Sequence, residues 1–241
     1  MQPRIKIILI LLVLLLPVAV SAKKSVIVNE QGDTIKHLHP KFNGVTIGAD
    51  IFSPVANLVG QKYGNYEMSI DAGFYNRFYP IYEFGISYAN ETPDGANYRY
   101  KVYPSFYNRV GMNYNILYNK DIPGILYVGL RYGFSFANYE VADITTSSPY
   151  WEVTQTDLTI PRSKSVAHWG ELLLGLQVKL YKGLMMGWSV RYKLLFAESQ
   201  KGDAKQYIIP GFGKCNSPIG FGFTINYRFS PKQKEEIPQI Q

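Results

Sequence analysis

His168 comes nearest to a catalytic arrangement, because Ser163, Ser165 and Glu171 lie close to it in the sequence. Hydrolysis of an ester bond needs a nucleophile, a base and a carboxylate that orients the base. The spacing matches no deacylase motif, and a tryptophan and a glycine follow the histidine where a serine would be expected. We therefore expect His168 to be a polar residue at the start of a strand, and we expect no catalytic residues.

Metal and thiol chemistry have little support in the sequence. His37 and His39 place two imidazoles on one side of an extended segment, but no third ligand accompanies them, so a solvated linker is expected. Cys215 is the single cysteine, which excludes an intramolecular disulfide and a cysteine-rich zinc site. A thiol in an external loop could pair between molecules, although a lone loop residue is the simpler interpretation. We expect neither a metal site nor a cofactor.

Charged residues occur at alternate positions within otherwise apolar segments. Five are acidic and six are basic: Asp50, Glu67, Asp71, Glu83, Glu171, Arg109, Arg131, Lys179, Arg191, Lys193 and Arg228. Buried charges are tolerated when they are paired and hydrogen-bonded. The near balance of signs therefore predicts an internal network of salt bridges, and the alternative is that the charges line a narrow or gated ion path.

The segments that carry these charges alternate with a period of two residues. Val45, Ile47, Ala49 and Ile51 share one face of the first segment, which predicts a strand. The pattern recurs about eight times, and its apolar, uncharged positions lie at alternate residues of 45–51, 68–74, 82–88, 110–116, 126–134, 172–180, 188–196 and 221–229. Small and charged residues occupy the opposite face, so the segments predict an all-β protein with one apolar and one polar sheet face.

A sheet of this kind can close in two ways. An outer-membrane barrel has its apolar face toward lipid, whereas a soluble lipocalin-like barrel has an apolar interior. The alternation by itself does not choose between them.

The connections and the aromatic residues favour the membrane. Short links at 76–81, 118–124 and 181–184 alternate with long ones near 52–65, 90–104, 140–168 and 198–217, as periplasmic turns and extracellular loops do. Aromatic residues stand at segment ends, where rings can lie among lipid headgroups: Tyr82, Tyr88, Tyr114, Trp169 and Trp188. We therefore predict an eight-stranded antiparallel up-and-down transmembrane β-barrel over residues 42–229.

The last strand carries a further pattern. Gly222, Ile225, Tyr227 and Phe229 follow the order of a glycine, spaced apolar residues and a terminal aromatic residue. This segment resembles the C-terminal recognition signal of outer-membrane barrels, and residues 42–229 resemble the small eight-stranded barrels of the OmpA and OmpX type. The resemblance implies that the outer-membrane assembly machinery is a partner during biogenesis. The alternation of short and long links, with an even number of strands, predicts that both termini are periplasmic. In the family pattern the aromatic residue is the last residue of the chain, whereas here a polar tail of residues 230–241 follows Phe229.

The N-terminal residues are typical of export. Arg4 and Lys6 precede an apolar run over residues 7–20, and small residues follow as far as Ala22. We expect residues 1–22 to be a signal peptide, residues 23–41 to be a periplasmic lead-in, and the mature protein to be in the outer membrane.

Composition excludes some partners and suggests others. The formal net charge is +7, but basic residues are not clustered, so no nucleic-acid partner is expected. Arg162, Lys164, Lys201 and Lys205 lie in predicted loops and could neutralise lipopolysaccharide phosphates. We expect outer-membrane lipid and lipopolysaccharide to be partners.

The expected function is a non-enzymatic role in envelope structure or in surface interaction through long loops. A narrow channel or hydrophobic-ligand transporter, an accessory barrel of a secretion or assembly complex, and a barrel enzyme acting on lipids stay open as alternatives. The sequence names no ligand of the loops.

Overall fold

Eight long strands close into one antiparallel ring in the computed structural model, which describes residues 27–28, 34–35, 40–60, 62–93, 95–120, 122–148, 153–201 and 206–231. The barrel strands are β3 (Phe42–Asp50), β4 (Tyr63–Phe74), β5 (Phe78–Glu91), β6 (Arg99–Asn115), β7 (Gly124–Ser148), β8 (Val153–Tyr181), β9 (Leu184–Lys201) and β12 (Ile219–Phe229). Each pairs with its sequence neighbours, and β12 closes the ring by pairing with β9 and β3. The prediction of an eight-stranded antiparallel barrel is confirmed.

The two faces of the ring separate side chains by chemistry. Because successive side chains of a strand point to opposite faces, the predicted apolar positions all lie outside. Exposed apolar residues occur on every barrel strand: Ile47, Met68, Ile70, Tyr82, Phe84, Val110, Met112, Leu130, Tyr132, Leu172, Leu174, Val190, Tyr192, Phe221, Ile225 and Tyr227. Charged and small residues of the same strands point inward.

Aromatic rings gather on the outer face at the end where the short turns lie. Phe42 contacts Phe74 with 5.7 Å between ring centroids, and Tyr227 contacts Phe229 at 4.7 Å. The guanidinium of Arg77 lies 5.1 Å from the centre of the Tyr114 ring. A second group of outer rings lies further along the strands, and Phe84 stacks on Phe106 at 5.7 Å.

The two ends of the barrel differ. Turns at residues 75–77 and 182–183 join strands at one end, where β3 also begins and β12 also ends. We call this the turn end. The other end, the loop end, carries helix α1 (Phe52–Leu58) between β3 and β4. Among the described residues, no helix combines the length and the apolar character needed to cross a membrane.

Two of the segments predicted to be long loops contain strands instead. Most of residues 140–168 extends β7 and β8 into a long hairpin, because their pairing continues through irregularities as far as Ser148↔Val153. Within residues 198–217, strand β9 continues to Lys201, and β10 (Ile208–Ile209) pairs with β11 (Gly213–Lys214). The apolar run in this second segment is buried rather than exposed.

A second, smaller compact unit contains the two N-terminal strands. Strands β1 (Ile27–Val28) and β2 (Thr34–Ile35) pair antiparallel, with Ile27 opposite Ile35. They fall within the predicted lead-in. The predicted signal peptide, His37, His39 and residues 232–241 lie outside the described residues.

Candidate functional site

Six of the predicted lumen charges meet in one cluster at the centre of the barrel. The cluster contains three glutamates and three arginines: Glu67, Glu83, Glu171, Arg109, Arg131 and Arg191. Each side chain is at most 10% exposed. Three negative and three positive charges balance in this buried space, as buried ions require.

The three arginines have unequal numbers of partners. Arg109 contacts all three glutamates, through Nη2 to Glu67, through Nε to Glu83 at 2.6 Å and through Nη1 to Glu171 at 3.1 Å. Arg191 also contacts all three, at 3.2 to 3.5 Å. Arg131 contacts Glu83 alone among the glutamates, at 3.2 Å, and its Nη2 donates to Asn113 at 2.7 Å. Arg109 and Arg191 therefore hold the cluster together.

Two aromatic side chains complete the cluster. The Trp169 indole donates to Glu171 at 2.7 Å, and the Tyr107 hydroxyl donates to Glu67 at 2.7 Å. Both residues are 0% exposed. The expectation that Trp169 belongs to an outer aromatic girdle is wrong. Trp169 has the same strand parity as Glu171, so the alternation itself places its ring inside.

A short hairpin closes the lumen above the cluster, toward the loop end. Residues 206–214, which contain β10 and β11, form this plug hairpin. Its side chains Ile208, Ile209 and Phe212 are buried against the barrel wall, and the Phe212 ring meets Trp169 at 6.0 Å. Cys215 follows directly and packs against the same cluster. A segment expected to face the exterior is thus part of the core.

Polar contacts fix the rim of the plug hairpin. The Lys214 ammonium donates to Glu91 at 2.6 Å, and Lys193 donates to the Phe212 carbonyl. Burial acts to lower the pKa of Lys214, but the hydrogen bond and the charge of Glu91 outweigh burial and raise that pKa above its ordinary value. The hairpin is therefore tied to the wall by charge-assisted bonds.

An apolar layer closes the lumen below the cluster, toward the turn end. Tyr79, Ile125, Tyr127 and Met185 pack together there and are buried. The described residues therefore fill the lumen at three successive levels: hairpin and aromatic rings, paired charges, and this apolar layer. An eight-stranded barrel has an interior just wide enough for such filling.

Interior glycines make room for the rings. A Cβ atom added to Gly85 would lie 2.2 Å from the Tyr107 ring, and one added to Gly133 would lie 2.2 Å from the Trp169 ring. Both are cross-strand pairs in the ladder. The aromatic side chains thus cover glycines on neighbouring strands, as in designed barrels.

Five predicted members of the charge network lie elsewhere. Asp50 is at the end of β3, where its carboxylate accepts from the Phe223 and Ser53 amides, each at 3.2 Å. Lys179 is exposed near the end of β8, beside the β8–β9 turn. For these two residues the prediction of a lumen ion pair is wrong.

The other three members are inside but separate from the cluster. Asp71 is buried and Arg228 donates to Thr46 at 3.2 Å, both nearer the turn end. Lys193 lies on the loop side, where it binds the plug hairpin. The single predicted network is therefore a central cluster with polar groups above and below it.

The geometry separates the residues of the considered catalytic set. The His168 ring points outward and its Nδ1 lies 2.9 Å from the Tyr132 hydroxyl. Ser163, Ser165 and Glu171 have the opposite parity and are buried inside. Strand alternation therefore prevents a triad. Within the described part of the chain, no three histidine, cysteine or acidic side chains form a group that could hold a metal ion.

The residues that resemble an assembly signal lie on β12, the strand that closes the barrel by pairing with β3. Tyr227 and Phe229 are exposed on the outer face, Ile225 shares that face, and Gly222 faces inward. Of the basic loop residues, Arg162 lies over the Tyr103 ring at 4.4 Å and Lys164 is exposed. The Lys201 side chain and Lys205 lie outside the described residues.

Comparisons with known proteins give a family and one similar structure. A family model described as Domain of unknown function (DUF6048) matches residues 4–234, and the chain belongs to this family. The comparison with curated proteins gives no match. The crystal structure of a major outer membrane protein from Thermus thermophilus is similar with a TM-score of 0.38 and 12% identity, over 78% of this chain and 98% of that chain.

Proposed function

We propose that this member of the DUF6048 family is an integral outer-membrane barrel with a closed lumen, and that it acts through its loop end in envelope structure or surface interaction. One observation carries the membrane placement: the apolar positions of all eight strands face outward while the paired charges face inward. A lipocalin-like barrel would have the reverse arrangement, with its apolar side chains inside.

The size of the outer apolar surface supports this placement. Soluble monomers rarely expose contiguous apolar patches beyond a few hundred Å². Here exposed apolar side chains encircle the barrel, and lipid would remove their contact with water. Outer-membrane lipid, with lipopolysaccharide in the outer leaflet, is then the partner of this belt. Strand β3 begins and strand β12 ends at the turn end, and we propose that this end and both termini face the periplasm.

The closed lumen favours a role other than diffusion. Three filled levels lie between the two ends, and the central one is a balanced set of ions with several contacts each. A water-filled path would require breaking this cluster. We therefore propose a structural lumen without a catalytic role, and His168 supports the latter proposal because it faces away from the serines.

Fractionation and conductance test the proposal together. The full chain, expressed with its N-terminal residues, should be recovered in the outer-membrane fraction and should resist extraction by alkaline carbonate. The purified protein should be β-rich in detergent and should give no steady conductance in planar bilayers. Recovery as a soluble periplasmic protein would contradict the membrane placement, whereas steady conductance would contradict the closed lumen.

A further inference from the structure

The plug hairpin makes its backbone hydrogen bonds within itself. Ile208 pairs with Lys214 and Ile209 pairs with Gly213, and the Phe212 amide donates to the Ile209 carbonyl at 3.1 Å. In the part of the chain that the structure describes, no backbone-to-backbone hydrogen bond joins residues 206–214 to a barrel strand. Withdrawal of the hairpin would therefore leave every ladder of the barrel intact.

Among the residues that the structure describes, every hydrogen bond between the hairpin and the barrel wall involves a side chain. The described contacts to the wall are Lys193 to the Phe212 carbonyl, Gln206 to Ser165, and Lys214 to Glu91. In these contacts a wall ammonium binds a peptide carbonyl and a wall carboxylate binds a cation. Any peptide with a carbonyl and a basic side chain at the same spacing can form them.

The wall around the hairpin is a chamber lined by aromatic rings. Tyr100, Tyr107, Tyr139 and Trp169 form it, and each is at most 1% exposed. Tyr100 meets Tyr207 of the hairpin at 6.2 Å, and Trp169 meets Phe212. Since each such ring buries roughly 150 to 250 Å², an empty chamber would be unfavourable. The hairpin can leave only in exchange for another apolar occupant.

With the plug hairpin in place, some buried polar groups in and around the aromatic chamber have no hydrogen-bond partner among the described residues. The Ser135 hydroxyl is buried between its strand neighbours Tyr107 and Ala167, and no described residue forms a hydrogen bond with it. The side-chain oxygen of Gln206 is also buried without one. Buried polar groups are normally paired, so an occupant that supplies partners here would bind better than the hairpin does.

We propose that the chamber is a binding site for an apolar peptide turn of another protein, and that the plug hairpin is the chain's own occupant of this site. The ligand has adjacent aliphatic residues, a tight turn, an aromatic side chain that rests on Trp169, and a basic residue that reaches Glu91. The charge cluster forms the floor, so the site opens only toward the loop end. This inference does not depend on the membrane placement, because binding can be measured in detergent.

Exchange can be tested with Trp169 as the reporter. Trp151→Phe and Trp188→Phe leave it as the single tryptophan, and a Gly/Ser linker of equal length replaces residues 206–214. The probe is a synthetic peptide with the sequence of residues 206–214, and the control peptide carries alanine at the position of Phe212. We expect saturable change of Trp169 emission, with the control peptide at least about tenfold weaker. Absence of saturable binding, or equal binding of both peptides, overturns the proposal.

A second variant covers the case in which the linker variant does not fold. Phe212→Ala in the full chain weakens the resident occupant and keeps the hairpin. The labelled peptide should bind this variant at least about tenfold more tightly than it binds the unsubstituted protein. Phe196→Ala, which removes an exposed ring from the outer face, is the matched control and should not change binding. Equal affinity for all three proteins would show that the hairpin is a fixed part of the core.

Discussion

Arg131 contacts a single glutamate of the central cluster, Glu83, with 3.2 Å between Nε and Oε1. Glu83 in turn also contacts Arg109 and Arg191. The arginines of the cluster therefore differ in how many carboxylates each would leave uncompensated, and this difference orders the stabilities of their variants.

Arg109→Met should be more damaging than Arg131→Met. Removal of one partner of a buried ion pair costs about 3 to 5 kcal/mol, because the other charge is left buried. Arg109 contacts all three glutamates, whereas Glu83 keeps two arginines when Arg131 is lost. Urea unfolding in detergent should therefore show a larger loss for Arg109→Met than for Arg131→Met.

A double variant tests whether Arg131 and Glu83 act as a pair. Arg131→Met with Glu83→Gln restores the charge balance of the cluster, so the combined loss should be smaller than the sum of the single losses. Additive losses would contradict the pairing. If Arg131→Met leaves the unfolding midpoint unchanged and alters conductance in planar bilayers, the charges line an ion path.

A charged residue placed near the middle of the outer apolar surface tests whether this surface faces lipid. Leu174 and Val128 are cross-strand partners on the outer face. Leu174→Arg should reduce the stability of the barrel in lipid by about 2 to 4 kcal/mol. Leu58→Arg is a suitable control, because Leu58 is 85% exposed on α1, beyond the strands. Similar effects of the two substitutions would argue against a lipid-facing belt.

The interior glycines should differ in their tolerance of alanine. Gly133→Ala would displace the Trp169 ring and break its bond to Glu171, so we expect a loss of about 1 to 3 kcal/mol, as in overpacked cores. A Cβ atom at Gly220 would meet the flexible end of the Lys193 side chain at 3.4 Å and the Arg191 Cβ atom at an ordinary contact distance of 3.8 Å. Gly220→Ala should therefore be nearly neutral in the same unfolding assay. A similar loss at both positions would mean that ring contact is not the cause.

The closing strand should be needed for insertion. Phe229→Ala and Tyr227→Ala remove exposed rings that contact each other at 4.7 Å on the segment that resembles an assembly signal. We expect less protein in the outer-membrane fraction with normal synthesis and export. Phe221→Ala, on the same face of the same strand, is the control. Unchanged barrel levels in both variants would show that the resemblance has no role in assembly.

The strands and the faces of their side chains could be predicted from the sequence, because side chains two residues apart on a strand share a face. The same alternation also predicts that Trp169 points inward. Its position at the end of a segment led instead to the expectation of an outer aromatic girdle. The pairing of acids with arginines was not accessible, since it depends on strand register and on contacts across the lumen, such as Arg191 with Glu67.

The plug hairpin could not be predicted from the sequence pattern, for a different reason. The apolar run from Ile208 to Phe212 was visible, but its lack of alternation gave no strand signal. Only the closed ring creates a space that can take this run. Likewise Lys179 has the parity of an interior residue, and its exposure follows from its position beside a turn.

The seam between β3 and β12 has a consequence for the order in which the barrel forms. Its pairing extends only from Thr224↔Asp50 to Phe229↔Val45, whereas β7 and β8 pair from Gly124 to Ser148. The long hairpin joins residues close in sequence, while the seam joins the two ends of the barrel segment and carries the larger loop-closure entropy. Hairpins should thus form first and the seam last. Amide hydrogens of Ile47 and Tyr227 should exchange with solvent earlier than those of Val128 and Leu174, which makes the seam the place where the ring opens sideways.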